Sequence, residues 1–431
     1  MSQTQLISEK EAKRGKGLYV IEAALEYFVT IIVGGQYLTN LSLHLGLDQS
    51  LSSILLSFVQ LGYVFQLFGL LLARKKRIKR LATTLSVLSE AAFALIYLVP
   101  FSPISKTGKH LLFIAFLLVG YIVSNFIASP KLNMYMSFVG TGERGRFTAK
   151  KEMCSLAGGV VFSYLVSFVI EHFEKINQIE TAFVISAIAI LLLSVGHMLV
   201  LIFTPDVEVP TSNVSFIKTV KTAFFNKKTW KVYVVQIIYS VISTTAIACI
   251  VPYLKYPTSE FGLGVSSEIF FTTVAAIGAL TRVLVSRPMG KFADKYTFKT
   301  STSFCYGLLG LALLAAAFIN PTTGVIFYIV YMLIQSVAMA GTNSGVINLL
   351  YEEVEPEQRI GAYAVQQFVA GFVGFLSTFP AAAFVASVQA TETGTLLGLY
   401  AQQWLCIWGA LLAVVLVLYV TFVLKKKKIK K

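Results

Sequence analysis

Charge is what this sequence has least of for its size. Only 13% of its 431 residues are Asp, Glu, Lys or Arg, about half of the ~25% carried by an ordinary soluble domain. A soluble enzyme or binding protein of this length needs far more polar surface to cover its core. With 56% hydrophobic residues, the chain is not a disordered one either. Cysteine is scarce as well. The four, Cys154, Cys249, Cys305 and Cys406, lie in apolar stretches without C-x-x-C spacing, which argues against a disulfide framework or a zinc site. No G-x-x-x-x-G-K-[ST] sequence occurs, so ATP held by this chain is not the expected energy source. No Ser/His/Asp grouping or metal-ligand cluster stands out, and neither a catalytic residue nor a metal or other cofactor is expected. Acidic residues are outnumbered 36 to 21, giving a formal charge of +15. In a soluble chain that excess would point to nucleic acid. Here the basic residues sit between apolar segments, so membrane topology explains them and no nucleic-acid partner is expected.

What the chain has in abundance is long apolar runs. A membrane-spanning helix needs about 20 apolar residues, and runs of that kind occur at 18–43, 51–73, 81–101, 110–138, 153–171, 181–204, 230–254, 266–287, 301–319, 324–350, 361–388 and 396–424. Transmembrane strands would be about 10 residues long with strict alternation, and these runs are twice that and apolar on most faces. The expected fold is therefore all-α, with twelve spans, numbered here in chain order. The distribution of Lys and Arg tests the count. If both ends are cytoplasmic, thirty of the 36 fall in inner segments and four (Lys106, Lys109, Lys175 and Lys255) in outer loops, as the positive-inside rule requires. Apart from Lys231 and Arg287 at the very ends of their runs, only Lys131 and Arg282 lie within spans, toward their inner ends, where snorkelling to water is expected. The first seventeen residues are polar, and no small-residue cleavage site follows a short apolar core, so the first span is expected to remain as an anchor. The reading is a monomeric multi-pass protein of the cell membrane. Residues 1–17 form a cytoplasmic segment, 18–204 a six-helix bundle, 205–229 a cytoplasmic linker, 230–424 a second six-helix bundle, and 425–431 a basic tail that anchors against anionic inner-leaflet lipid.

The two halves repeat each other. The loop after span 8 carries Gly290, Asp294 and Lys295, and the loop after span 2 carries Gly69 and Arg74 at the same glycine-to-basic spacing, with Ala73 in the acidic position. Glu143, Arg144, Gly145 and Arg146 follow span 4, as Glu357, Gln358, Arg359 and Gly361 follow span 10. Equivalent loops in halves of equal span number imply a parallel repeat about an axis along the membrane normal. On these motifs and the 6+6 split, the chain resembles the major facilitator superfamily of secondary transporters over all twelve spans. It departs from the family pattern at Ala73, in lacking G-P-x-x-G-G around Gly158 and Gly159 of span 5, and in having no arginine at the span 4 position linked in the family to proton coupling.

The resemblance implies that spans 1, 4, 7 and 10 line a central cavity. Independently, polar residues recur at helical spacing on each: Glu22, Glu26, Thr30 and Tyr37 on span 1, Ser124, Asn125 and Ser129 on span 4, Gln236, Ser240, Ser243 and Thr244 on span 7, and Gln335, Met339 and Asn343 on span 10. Amides in hydrocarbon need partners, so these stripes face either a cavity or hydrogen-bonding neighbours. Glu26 is the sharpest single residue. It lies about 12 Å along the first apolar run at ~1.5 Å per residue, where burial favours the protonated acid and makes it a candidate proton carrier. Glu22, nearer the interface, is expected to snorkel, His197 to be a packing residue, and His172 to face solvent. Gly290 is expected to admit a close helix neighbour. The resemblance places span 11 there, so that Asp294 would meet Arg359 and latch the cytoplasmic side closed.

The function these features imply is secondary active transport of a small neutral or weakly ionic solute, such as a sugar, nucleoside or drug-like compound, with protons as the candidate coupling ion. A non-transporting membrane sensor or scaffold would usually carry an added soluble domain, and no loop exceeds about 25 residues. An intramembrane enzyme would need paired catalytic residues at one depth. The orientation is open to a direct test. On a cysteine-free background, a single cysteine at Asn213 should resist an impermeant thiol reagent added to intact cells and react once they are opened. Labelling from outside would invert the topology.

Overall fold

The computed structural model describes residues 8–73, 78–140, 143–206, 216–354 and 359–424. Arg74, the linker residues 207–215 and the 425–431 tail lie outside the described residues, as do the side chains of Arg144, Asp294 and Asn343. Among the described residues twelve helices are long and apolar enough to cross a membrane: span 1 Glu9–His44, span 2 Gln49–Gly69, span 3 Ile78–Phe101, span 4 Lys106–Met136, span 5 Lys150–Lys175, span 6 Ile179–Phe203, span 7 Lys227–Lys255, span 8 Glu268–Ala293, span 9 Phe298–Ala317, span 10 Gly324–Glu353, span 11 Gly361–Gln389 and span 12 Ala401–Phe422. Among the described residues the β-structure is one two-residue antiparallel pair, Thr395–Leu396 with Leu399–Tyr400. It occupies the start of what the sequence suggested as span 12. Several helices outrun their apolar cores. Span 1 begins nine residues earlier than its hydropathy suggests because Ser8 caps the helix, with Glu11 reaching back to the Ser8 N–H.

The chain divides into two compact units, one of Met1–Leu41 with Leu61–Ser215, the other of Ser42–Gln60 with Phe216–Lys431. In the first, span 3 packs on spans 4 and 6, and span 1 on spans 5 and 6. In the second, span 9 packs on spans 10 and 12, and span 7 on spans 11 and 12. Each pairing recurs six spans later, which is the packing signature of a parallel repeat. The segment Ser42–Gln60 was expected within the N-terminal bundle but packs with the second unit. Span 2 breaks at Ser57, and the residues before the break are held by Tyr256, whose hydroxyl donates to the Leu47 carbonyl at 2.8 Å, and by Gln389, which donates to Gln49 at 2.6 Å.

Breaks in these helices are repaired locally, because hydrocarbon leaves no water for a freed carbonyl. Span 1 is interrupted at Val33 and Gly34, with Gly35 at φ +49°. The hydroxyls of Tyr97 (span 3) and Tyr121 (span 4) donate to the carbonyls of Ile32 and Val33 at 2.6 and 2.9 Å. Span 7 contains a π-type turn at Ser243–Ile247. There Thr244 donates to the Ser240 and Gly374 carbonyls, each at 2.9 Å, and Thr245 to the Val241 carbonyl at 2.7 Å. Lys255, expected in an outer loop, is instead buried at the end of span 7 and paired with Glu268 of span 8. Glu143, on the loop between spans 4 and 5, pairs with Lys16 of span 1. That hydrogen bond, with a second from the Gly140 N–H, holds the Glu143 carboxyl below the usual carboxylate range.

Gly290 was expected to admit the close helix neighbour, but among the described residues a Cβ there would meet nothing within 4 Å, whereas a Cβ on Gly69 would lie 1.6 Å from the Phe126 carbonyl oxygen of span 4. Of the two motif glycines, Gly69 is the one that permits a close backbone approach. Gly69→Ala should therefore force spans 2 and 4 apart and lower stability by about 1–3 kcal/mol, the usual cost of overpacking. Gly290→Ala should be neutral or slightly stabilising, because alanine favours helix. Thermal unfolding of the two purified variants checks this, and equal melting temperatures would remove the close approach.

Candidate functional site

Two carboxylates on span 1, Glu22 and Glu26, are spaced i and i+4 and so share a helix face. Facing them on span 4 is Lys131, directly after Pro130, which lies inside the continuous helix Lys106–Met136 and leaves one backbone carbonyl without its helical donor. The Lys131 Nζ lies 2.7 Å from Glu22 Oε1 and 3.0 Å from Glu26 Oε1. Behind Glu22, His197 of span 6 bridges to span 3, with Nε2 3.1 Å from Glu22 Oε1 and Nδ1 2.6 Å from Glu90 Oε1. Five ionisable side chains from four helices thus form one chain of contacts inside the first unit.

Burial is graded along it. The side chains of Glu22, His197, Glu90 and Lys131 are at most 6% exposed, and that of Glu26 is 43% exposed. One end is therefore partly exposed and the other is sealed. Tyr19 and Tyr135, stacked with ring centroids 4.4 Å apart, lie beside the cluster with Ile127, Met134, Phe138 and Leu201. The Lys151 ammonium sits 4.8 Å over the Tyr19 ring and donates to its hydroxyl at 3.3 Å.

The geometry constrains the proton count. Neutral imidazole has one donor and one acceptor nitrogen, yet both nitrogens of His197 face carboxyl oxygens. Either the ring is protonated and donates twice, or one carboxyl is protonated and donates to the ring. Both arrangements place one proton more on Glu22, His197 and Glu90 than a neutral ring with two carboxylates would hold. The three then carry a net −1, which Lys131 balances. Among the described residues, Glu90 Oε2 is buried without a hydrogen-bond partner. His197 and the two carboxyls it bridges share that proton. Losing it would leave an uncompensated buried charge.

This arrangement corrects several sequence expectations. Glu22 does not snorkel and is the most buried carboxylate of the cluster, whereas Glu26 is partly exposed and already paired. Lys131 reaches inward because span 1 offers it two carboxylates within 3.0 Å. His197 is a bridge between carboxyls as well as a packed side chain. Glu90 was missed, although its signal was visible as a lone acid within the apolar run of span 3.

The remaining polar residues divide. Thr30 is exposed and donates to the Glu26 carbonyl at 2.9 Å. Tyr37 leaves the Glu22–Glu26 face because span 1 breaks before it, and its hydroxyl lies 2.8 Å from Ser167 of span 5. Asn125 is bonded to Gln66 of span 2 at 3.1 Å. Ser240 is buried, donates to Gln60 at 3.1 Å and packs against Gly374, so it sits in a helix seam. Gln236 and Gln335 are half-buried, and Met339 accepts from Tyr239 at 3.4 Å. In the loop positions, Lys295 is exposed and lies over the Tyr296 ring. Arg359 begins a helix and lies 5.0 Å over the Tyr351 ring, donating to the Tyr351 carbonyl at 3.4 Å.

The ion pairing has an energetic consequence. Lys131→Met leaves two carboxylates facing an apolar side chain and should cost about 3–5 kcal/mol, as breaking a buried pair does. Adding Glu22→Gln to it should restore most of that loss, since the amide oxygen can still accept from His197. Melting temperatures of the single and double variants check this, and purely additive losses would show that the two residues do not interact.

The model for the Major Facilitator Superfamily matches residues 23–378. No curated protein sequence matches the chain. Among solved structures, a mutant form of the nucleoside transporter NupG is similar with a TM-score of 0.71 at 14% identity, covering 96% of this chain and 100% of that one. A D-xylose-proton symporter is similar with a TM-score of 0.65 at 16% identity, covering 93% and 97%, and a bacterial metal transporter with 0.61 at 13%, covering 97% and 99%. Identities this low speak for the fold alone, but the family match spans most of the sequence, and with twelve spans in repeated six-helix packing this chain belongs to the Major Facilitator Superfamily.

Proposed function

We propose that this protein is a proton-coupled secondary transporter that moves a small neutral or weakly ionic solute across the cell membrane by alternating access, with both termini in the cytoplasm. The observation that carries the proton coupling is the bridge of His197 between Glu22 and Glu90, joined through Lys131 to the partly exposed Glu26. Such a chain has a solvent-facing carboxyl to exchange protons and a sealed triad to hold one. Lys131 couples the two ends electrostatically. Protonation of Glu26 frees the ammonium to favour Glu22 alone, and deprotonation draws it back. The half-buried amides Gln236 and Gln335 offer neutral donors and acceptors, which suits a polar uncharged solute. The similar structures named for a nucleoside transporter and a D-xylose-proton symporter support a hydroxyl-bearing solute of that size.

The test is transport in liposomes loaded with a pH-sensitive dye, using a panel of sugars and nucleosides. The wild-type protein should accumulate its solute when a pH gradient is imposed. Glu26→Gln should still exchange internal for external solute at a rate within about threefold of wild type but lose gradient-driven accumulation, because exchange needs no net proton movement. His197→Gln and Glu90→Gln should behave likewise. Undiminished gradient-driven accumulation in all three variants would leave the cluster a structural one and overturn the coupling.

A further inference from the structure

A cleft of about 500 Å³ lies between span 9 and span 12 on the outside of the second unit. Its lining is ordered by polarity. At one end are Lys299, Thr300, Ser303 and Thr421, the last two bonded through their hydroxyls at 3.0 Å. At the other end the walls are Phe304, Gly307, Leu311 and Val417, with Phe304 and Leu311 about half exposed. From Lys299 to Leu311 the helix rises about 18 Å at ~1.5 Å per residue. Half of a ~30 Å hydrocarbon core is about 15 Å, so the cleft is the length of one leaflet.

Lys299 stands at the mouth and is fixed there. Its ammonium donates to the Leu424 carbonyl at 2.5 Å, just past the end of span 12, which is where a cation is favoured by the unpaired carbonyls. An ammonium has three donors, so this bond leaves others for a ligand. The apolar floor exists because Gly307 has no side chain. Among the described residues a Cβ there would touch only Val417, at 3.9 Å, so a larger residue could occupy the space without displacing described backbone.

We propose that this cleft is a binding site for an anionic phospholipid, with one acyl chain along Gly307 and Leu311 and the phosphate at Lys299 and the hydroxyls of Thr300 and Thr421. A membrane protein's outer face is covered by lipid everywhere. What selects an anionic lipid here is the sequence of chemistry along the cleft: a positioned cation, then hydroxyls at the depth of the ester groups, then a chain-width apolar trough.

Native mass spectrometry of the full-length protein, exchanged from detergent with phosphatidylglycerol or phosphatidylcholine of identical acyl chains, tests this. Wild-type protein should retain phosphatidylglycerol about fivefold better, the preference expected of one basic residue near the headgroup. Lys299→Ala should abolish the preference, and Gly307→Leu should remove the retained lipid of either kind by filling the trough. Unchanged melting temperatures in lipid-free detergent confirm that both variants fold, and excess inorganic phosphate should not displace the bound lipid. Equal retention of the two lipids by wild type overturns the proposal, as does phosphatidylglycerol retention by Gly307→Leu at the wild-type level. Loss of lipid to inorganic phosphate would reduce the site to a bare anion site and overturn it also.

Discussion

The contact between Lys131 and Glu22 is the constraint from which most of the first unit follows. An isolated charge at that depth in hydrocarbon costs at least about 2.5–3.5 kcal/mol on insertion scales, and four side chains in this cluster are nearly inaccessible. None of them could be placed alone. Spans 1, 3, 4 and 6 must each be rotated so that Glu22, Glu90, Lys131 and His197 converge within hydrogen-bond distance. Once they converge, the aromatic packing around Tyr19 and Tyr135 is set as well, because these residues lie one helical turn from Glu22 and Lys131 on the same helices.

The same solvent argument governs the backbone. Where span 1 breaks, tyrosine hydroxyls from spans 3 and 4 replace the missing hydrogen bonds, and where span 7 widens into a π-type turn, threonine hydroxyls do so. Many of the polar side chains in these helices are therefore committed to holding irregular backbone or helix seams, as Tyr37, Ser240 and Thr244 are. The irregular segments are retained in a medium that penalises them, which makes them natural places for helices to bend.

The two units repeat in packing but not in charge. Pairings among spans 1, 3, 4, 5 and 6 recur among spans 7, 9, 10, 11 and 12, yet among the described residues the buried ion pair of the second unit, Lys255 with Glu268, sits at helix ends. The linked acid, base and histidine chemistry belongs to the first unit. A repeat conserves the scaffold through small residues and helix contacts, and it leaves each half free to carry different side chains inside.

The sequence by itself determined the solvent, the number of spans and the repeat, because each follows from composition and period: scarce charge, twelve apolar runs, and matching loops six spans apart. It also showed that Glu22 and Glu26 share a face, since i and i+4 positions always do in a helix. An acid within the apolar run of span 3 was equally visible, and Glu90 could have been singled out by the insertion cost that singled out Glu26. Which faces meet was another matter. The rotation of one helix against another is set by contacts among residues far apart in the chain, so only the tertiary structure decided that Lys131 turns inward, that His197 bridges two carboxyls, and that Glu22 is sealed while Glu26 is partly exposed. It likewise decided between two glycines with the same motif spacing. Gly69 lies against the Phe126 carbonyl and Gly290 has no such neighbour among the described residues, because a motif records the residue that permits a close approach and not the neighbour that makes it.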